Sequence, residues 1–93
     1  MSAVDELEKR RKLIDEYDAA ISFLLKMRFK SVIEISSLKK DLGIHTHQPS
    51  RERVVLRNVL INCKDKKFKP VVKRIYKVII GESKRLQIND NNK

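Results

Sequence analysis

The sequence predicts an all-α fold of three helices, the first much longer than the others, in a chain that pairs with a second copy of itself. Three observations lead there. Between Val4 and Leu42 there is neither glycine nor proline, and apolar residues recur at helical spacing; Gly43, Pro49 and Pro70 punctuate the rest of the chain; and nowhere does the apolar pattern alternate as a strand would.

The first element is a helix of about 37 residues and roughly 55 Å. A compact monomer of 93 residues has a radius of gyration of about 12 Å, so a rod of that length would project beyond any globule the remaining residues could build. A dimer pairing the long helices is therefore expected. Gly43 ends this helix as a C-cap would, and Ile44 to Ser50, with Pro49, forms a connector. The second helix starts near Ser50, presents Val55, Leu56, Val59, Leu60 and Cys63 as its apolar face, and gives out in Lys64-Asp65-Lys66-Lys67. The third takes Pro70 into its first turn and runs to about Gln87, with a buried arc of Val72, Ile75, Tyr76, Ile79, Ile80 and Leu86. Residues 1–88 then make one domain, and the polar run 89–93 is a fraying tail.

Net charge is +10, and it is unevenly spread: residues 1–56 carry 11 Lys/Arg against 9 Asp/Glu, residues 57–93 carry 11 against 3. Such a balance attracts anions of any size, so it sets a partner's sign without its identity. A lone Cys63 rules out an intrachain disulfide framework, and the charged start Met1 to Glu6 is neither a signal peptide nor a membrane span. A reducing, cytoplasmic setting with no membrane is expected.

The informative residues are polar ones where the pattern asks for apolar ones. Steps of seven along the first helix give two rows of a seam: Leu7, Ile14, Ile21, Arg28, Ile35, Leu42, and beside it Val4, Arg11, Asp18, Leu25, Val32, Lys39. Three cations and one acid thus occupy positions where burial is expected. Asp18 can neutralise one cation; an uncompensated buried charge costs several kcal/mol, so a small dianion is the predicted ligand. Arg28 and Lys39 lie three turns apart, about 16 Å along one face, and their long side chains can converge. Arg11 is about 25 Å from Arg28 on the same helix. An antiparallel partner whose two-fold axis passes near Ser22 would bring its own Arg11 between Arg28 and Lys39.

The other helices repeat the anomaly. Glu52 falls at the centre of the second helix's apolar arc with Arg51 at its edge, and Ser83 and Gln87 fall inside the arc of the third. A serine bonded back to its own helix is the plain reading of Ser83, and surface exposure that of Gln87 near a helix end. Together they suggest a pocket lined by every helix, because unpaired buried amides and hydroxyls are costly.

In this order of residues the chain resembles the all-helical class of chorismate mutases, small intertwined homodimers of three-helix chains. The resemblance covers residues 7 to 87 and rests on Arg11 followed by Ile14-Asp15 and Asp18, Leu24-Leu25-x-x-Arg28, Lys39, Arg51-Glu52-Arg53, and Ile79-Ile80-x-x-Ser83-x-x-x-Gln87. It implies a cofactor-free isomerase of aromatic amino-acid (phenylalanine and tyrosine) biosynthesis that rearranges chorismate to prephenate. By resemblance, Arg28 and the partner's Arg11 grip the two carboxylates with help from Arg51 and Ser83. Lys39 and Gln87 address the ether oxygen, and Glu52 meets the ring hydroxyl. Gln48, where relatives often carry an acid near that hydroxyl, completes the substrate-binding set as a departure. The catalytic residues are then Lys39, Gln87, Arg28 and Glu52.

Rival readings rest on less. His45-x-His47 offers two imidazoles without a nearby acid or thiolate, a poor metal site. Lys73, Arg74, Lys77, Lys84 and Arg85 form a face of the third helix opposite its buried arc, read as solvated. A basic nucleic-acid-binding module could use that face, but the five aromatics are not patterned for base stacking and the seam cations would go unexplained. No nucleic-acid partner is expected. An isochorismate-pyruvate lyase on the same fold, or an inactive binding relative, is the closer alternative; Glu52 and the filled polar set favour the mutase. With residues 1–88 taken up by one domain, no separate regulatory domain is expected.

Overall fold

The computed structural model describes residues 2–44 and 48–91, with side chains to Asn89. Three helices occur in the order α1 (Ala3–Leu42), α2 (Pro49–Asn62) and α3 (Lys69–Asn91), with no strand among the described residues. His45 and His47 lie outside the described residues.

Each end of α1 has a local cause. The Ser2 hydroxyl accepts the Asp5 backbone N–H at 3.1 Å, and Asp5 and Glu6 set negative charge against the positive end of the helix dipole. At the other end Lys39 and Lys40 face the negative pole. Gly43, at φ +70°, donates its N–H to the Lys40 carbonyl at 3.2 Å, and Ile44 donates to the Lys39 carbonyl at 2.8 Å. That pair of bonds is a Schellman cap, which needs the left-handed conformation glycine adopts without penalty.

The connector is shorter than the sequence suggests, because α2 begins at Pro49 itself. Proline's missing N–H would have no partner in a first turn anyway, and its fixed φ suits one. Gln48 is the N-cap by backbone alone, its carbonyl accepting the Glu52 N–H at 3.1 Å. After α2, Asp65 organises the turn into α3: its side chain accepts the Lys67 N–H at 2.9 Å and its carbonyl the Phe68 N–H at 3.1 Å. The expected stop of α3 near Gln87 is corrected. The helix continues to Asn91, since polar residues lower helix propensity by tenths of a kcal/mol each and neither glycine nor proline intervenes to break it.

The chain divides into two compact units, residues 1–31 and residues 32–93. The first is helical and has little cover of its own: Leu7, Ile14 and Ile21, all seam residues, are 49%, 56% and 55% exposed. In the second, α2 packs on α3, and the end of α1 is tied to α3 by side-chain hydrogen bonds. Its most buried residues are Val32, Ser36, Ser83 and Gln87. Three of those four are polar, so the centre of this unit is a hydrogen-bonded cluster with half-buried Val55, Leu56, Val59, Leu60, Ile79 and Ile80 supplying the apolar packing. Ile75, expected inside the buried arc of α3, is 56% exposed; the covered arc is narrower and centres on Ile79, Ser83 and Gln87.

Candidate active site

The C-terminal end of α1 enters the cluster through Val32, Ser36 and Lys39, residues at i, i+4 and i+7 that share one face of the helix. The Ser36 hydroxyl, 1% exposed as a residue, donates to the Gln87 carbonyl at 3.3 Å, while the Gln87 side-chain amide donates to the Val32 carbonyl at 3.4 Å. Gln87 is therefore gripped from both its backbone and its side chain by one turn of α1. It is only 8% exposed, so the surface reading of a glutamine near a helix end does not hold. Lys39, half-buried, comes three residues after Ser36 and so flanks the same turn.

One turn back along α3, Ser83 is 7% exposed and donates its hydroxyl to the Ile79 carbonyl at 2.7 Å. The back-bonded reading of Ser83 is thus present, at a position that also faces the cluster. No buried side-chain nitrogen or oxygen among the described residues is without a partner, which removes the energetic objection to so polar a centre.

On α2, Glu52 is half-buried in the first turn, where the helix dipole favours a carboxylate. Its Oε1 lies 2.9 Å from Lys84 Nζ of α3, and the two side chains are 30% and 33% exposed. A groove of about 320 Å³ opens between α2 and α3 here, its walls including Glu52, Arg53, Leu56, Lys77, Ile80 and Lys84. The assignment of Lys84 to a purely solvated face is corrected: it is half-buried and turns to Glu52, while Lys77 borders the groove and stays exposed, as expected of that face. Gln48 is half-buried and Arg51 exposed.

The remaining two expected site residues belong to the first unit. Arg28 is half-buried. Arg11, expected on a buried seam, is exposed in the chain taken alone and pairs with Glu8 at 3.0 Å, their side chains 63% and 58% exposed. Such a pair is worth a few tenths of a kcal/mol, so Arg11 is cheaply redirected to a stronger anion.

Two residues of the cluster were missed by sequence reasoning. Ser36 stands four residues after Val32 and three before Lys39, so the seam spacing itself pointed to it. Lys84 had a weaker signal, adjacency to Ser83 and a position four residues after Ile80 on the edge of the buried arc.

No helix among the described residues is long and apolar enough to cross a membrane. No solved structure matches this one significantly. The curated chorismate mutase of Methanocaldococcus jannaschii is 28% identical over 85 residues, covering 90% of this chain and 86% of its own length. The family described as chorismate mutase type II matches residues 10–88. That span contains Arg11, Arg28, Lys39, Glu52, Ser83 and Gln87 alike, and the chain belongs to the chorismate mutase type II family.

Proposed function

We propose that the chain converts chorismate to prephenate as a cytoplasmic homodimer, each site combining Arg28, Lys39, Gln48, Arg51, Glu52, Ser83 and Gln87 of one protomer with the partner's Arg11. The activity is that of a chorismate mutase, an isomerase, and it suits these residue types. The rearrangement is unimolecular: one C–O bond breaks as one C–C bond forms, with no nucleophile, proton transfer, metal or cofactor required. Catalysis then consists of positioning and electrostatics. Paired cations hold the dianion in its compact reactive conformer, and donors aimed at the ether oxygen stabilise the negative charge that grows there.

The observation that carries the reading is the setting of Gln87. Its amide is buried, and its hydrogen bond to the Val32 carbonyl, 3.4 Å, is longer than the 2.9–3.0 Å optimum for N–H···O. A glutamine amide has two N–H donors, so it can serve a better acceptor at little loss. Lys39, the other donor assigned to the ether oxygen, stands one turn from Ser36, which itself touches Gln87. A cationic donor and a neutral one at the same end of the cluster suit an oxygen that gains charge only in the transition state.

The free thiol of Cys63 suits a reducing compartment, and the exposed seam of residues 4–24 supports pairing with a second copy. Incubation of the purified protein with chorismate is expected to yield prephenate. Absence of prephenate, with isochorismate split into salicylate and pyruvate instead, would overturn the reading in favour of the lyase.

A further inference from the structure

The interhelical ion pair between Lys84 and Glu52 differs in kind from three others among the described residues. The ion pairs Arg10–Glu6, Arg11–Glu8 and Arg85–Glu82 join residues three or four apart on one helix, with side chains at least 42% exposed. Lys84–Glu52 differs on both counts: it joins α2 to α3, and each side chain is about two-thirds withdrawn from water at a separation of 2.9 Å. Reduced solvent screening strengthens the attraction and narrows the geometries the two groups sample. Lys84 also stands between site positions on α3, directly after Ser83 and three residues before Gln87, both buried.

We propose that Lys84 is a positioning residue for Glu52: it takes Oε1 of the carboxylate and fixes the group at the junction of α2 and α3, where Glu52 accepts the hydrogen bond of the substrate's ring hydroxyl. This rests on the reading that Glu52 meets that hydroxyl. A carboxylate offers about four lone-pair directions over its two oxygens, so the ammonium leaves acceptor capacity for the substrate. The helix dipole at the first turn of α2 and the neighbouring Arg53 and Lys77 of the groove keep the surroundings positive. Lys84 supplies a contact from the opposite helix, which holds the carboxylate against swinging along the groove toward those other cations. Lys84 does not itself address the reacting bond.

The test is a double-mutant cycle on kcat/KM for chorismate, with circular dichroism as the check on folding. Lys84→Met should lower kcat/KM about tenfold, the scale of losing a charge-assisted hydrogen bond between coupled groups, and Lys84→Arg should recover most of that loss. In a Glu52→Gln background the same Lys84→Met change should alter kcat/KM by less than about twofold, because coupled residues lose their effect once the partner is gone. A chorismate analogue lacking the ring hydroxyl should be turned over equally by wild type and Lys84→Met. Should Lys84→Met not fold, Lys84→Gln carries the same cycle. Wild-type activity in Lys84→Met, or a loss that adds in full to that of Glu52→Gln, overturns the role of Lys84 alone. Unchanged activity in Glu52→Gln overturns the assignment of Glu52 and this proposal with it.

Discussion

Gln87 is a neutral donor at any ordinary pH, and that is its chemical distinction from a carboxylic acid at the same place. A glutamate there donates only when protonated. Gln87→Glu is therefore expected to move the activity optimum toward acid, with turnover falling as pH rises and the new carboxyl ionises; a pH–rate profile of kcat checks it, and an unchanged profile removes Gln87 from the reaction. Arg28 offers a different test, because a guanidinium holds a carboxylate through a fixed fork of donors. Arg28→Ala should lower turnover by at least about 10²-fold, the scale of one preorganised donor, and steady-state kinetics at saturating chorismate would show it. Near-native turnover would sink the assignment of Arg28.

Helix boundaries were legible where a residue has a backbone preference of its own. Gly43 is the case in point: its φ of +70° and the two bonds from Gly43 and Ile44 to the Lys40 and Lys39 carbonyls are what a glycine after a long helix implies. A Cβ at residue 43 would meet no atom within 4 Å, so Gly43→Ala is a clean test of conformation rather than of packing. It should destabilise by about 1–2 kcal/mol, the cost of the left-handed region for an L-residue, and lower Tm by several degrees in a thermal melt. The end of α3 was not legible in this way. Asn89, Asp90 and Asn91 have modest helix propensity, and modest propensity does not stop a helix already anchored at Gln87 by hydrogen bonds to α1.

For the whole molecule, the first unit carries an apolar stripe that a single chain leaves uncovered. Residues such as Leu7, Ile14 and Ile21 repeat at seam spacing yet stay about half exposed, which supports the proposed pairing with a second copy. Sedimentation analysis is expected to return a dimer. A sharper experiment tests the proposed crossing of Arg11 to the partner's Arg28. Arg11→Ala and Arg28→Ala homodimers should each be nearly inactive. Unfolded together and refolded one to one, half of the dimers are mixed and each mixed dimer regains one intact site of its two, so activity should return to about one quarter of wild type under two-fold symmetry. No recovery on mixing would mean that Arg11 serves its own chain or none.

The three helices and the polar set were legible in the chain read in one dimension. Helical periodicity, the absence of breakers over Val4–Leu42 and the spacing of Arg11, Arg28, Lys39, Glu52, Ser83 and Gln87 are all properties of residue order. Which of those polar residues are satisfied, and by what, was not legible there. That Ser36 and Val32 hold Gln87 across more than fifty residues of sequence, and that Lys84 turns from a solvated face to Glu52, depends on how one helix lies against another. A helical wheel fixes the direction of each side chain about its own axis, and the partner it meets is set by packing.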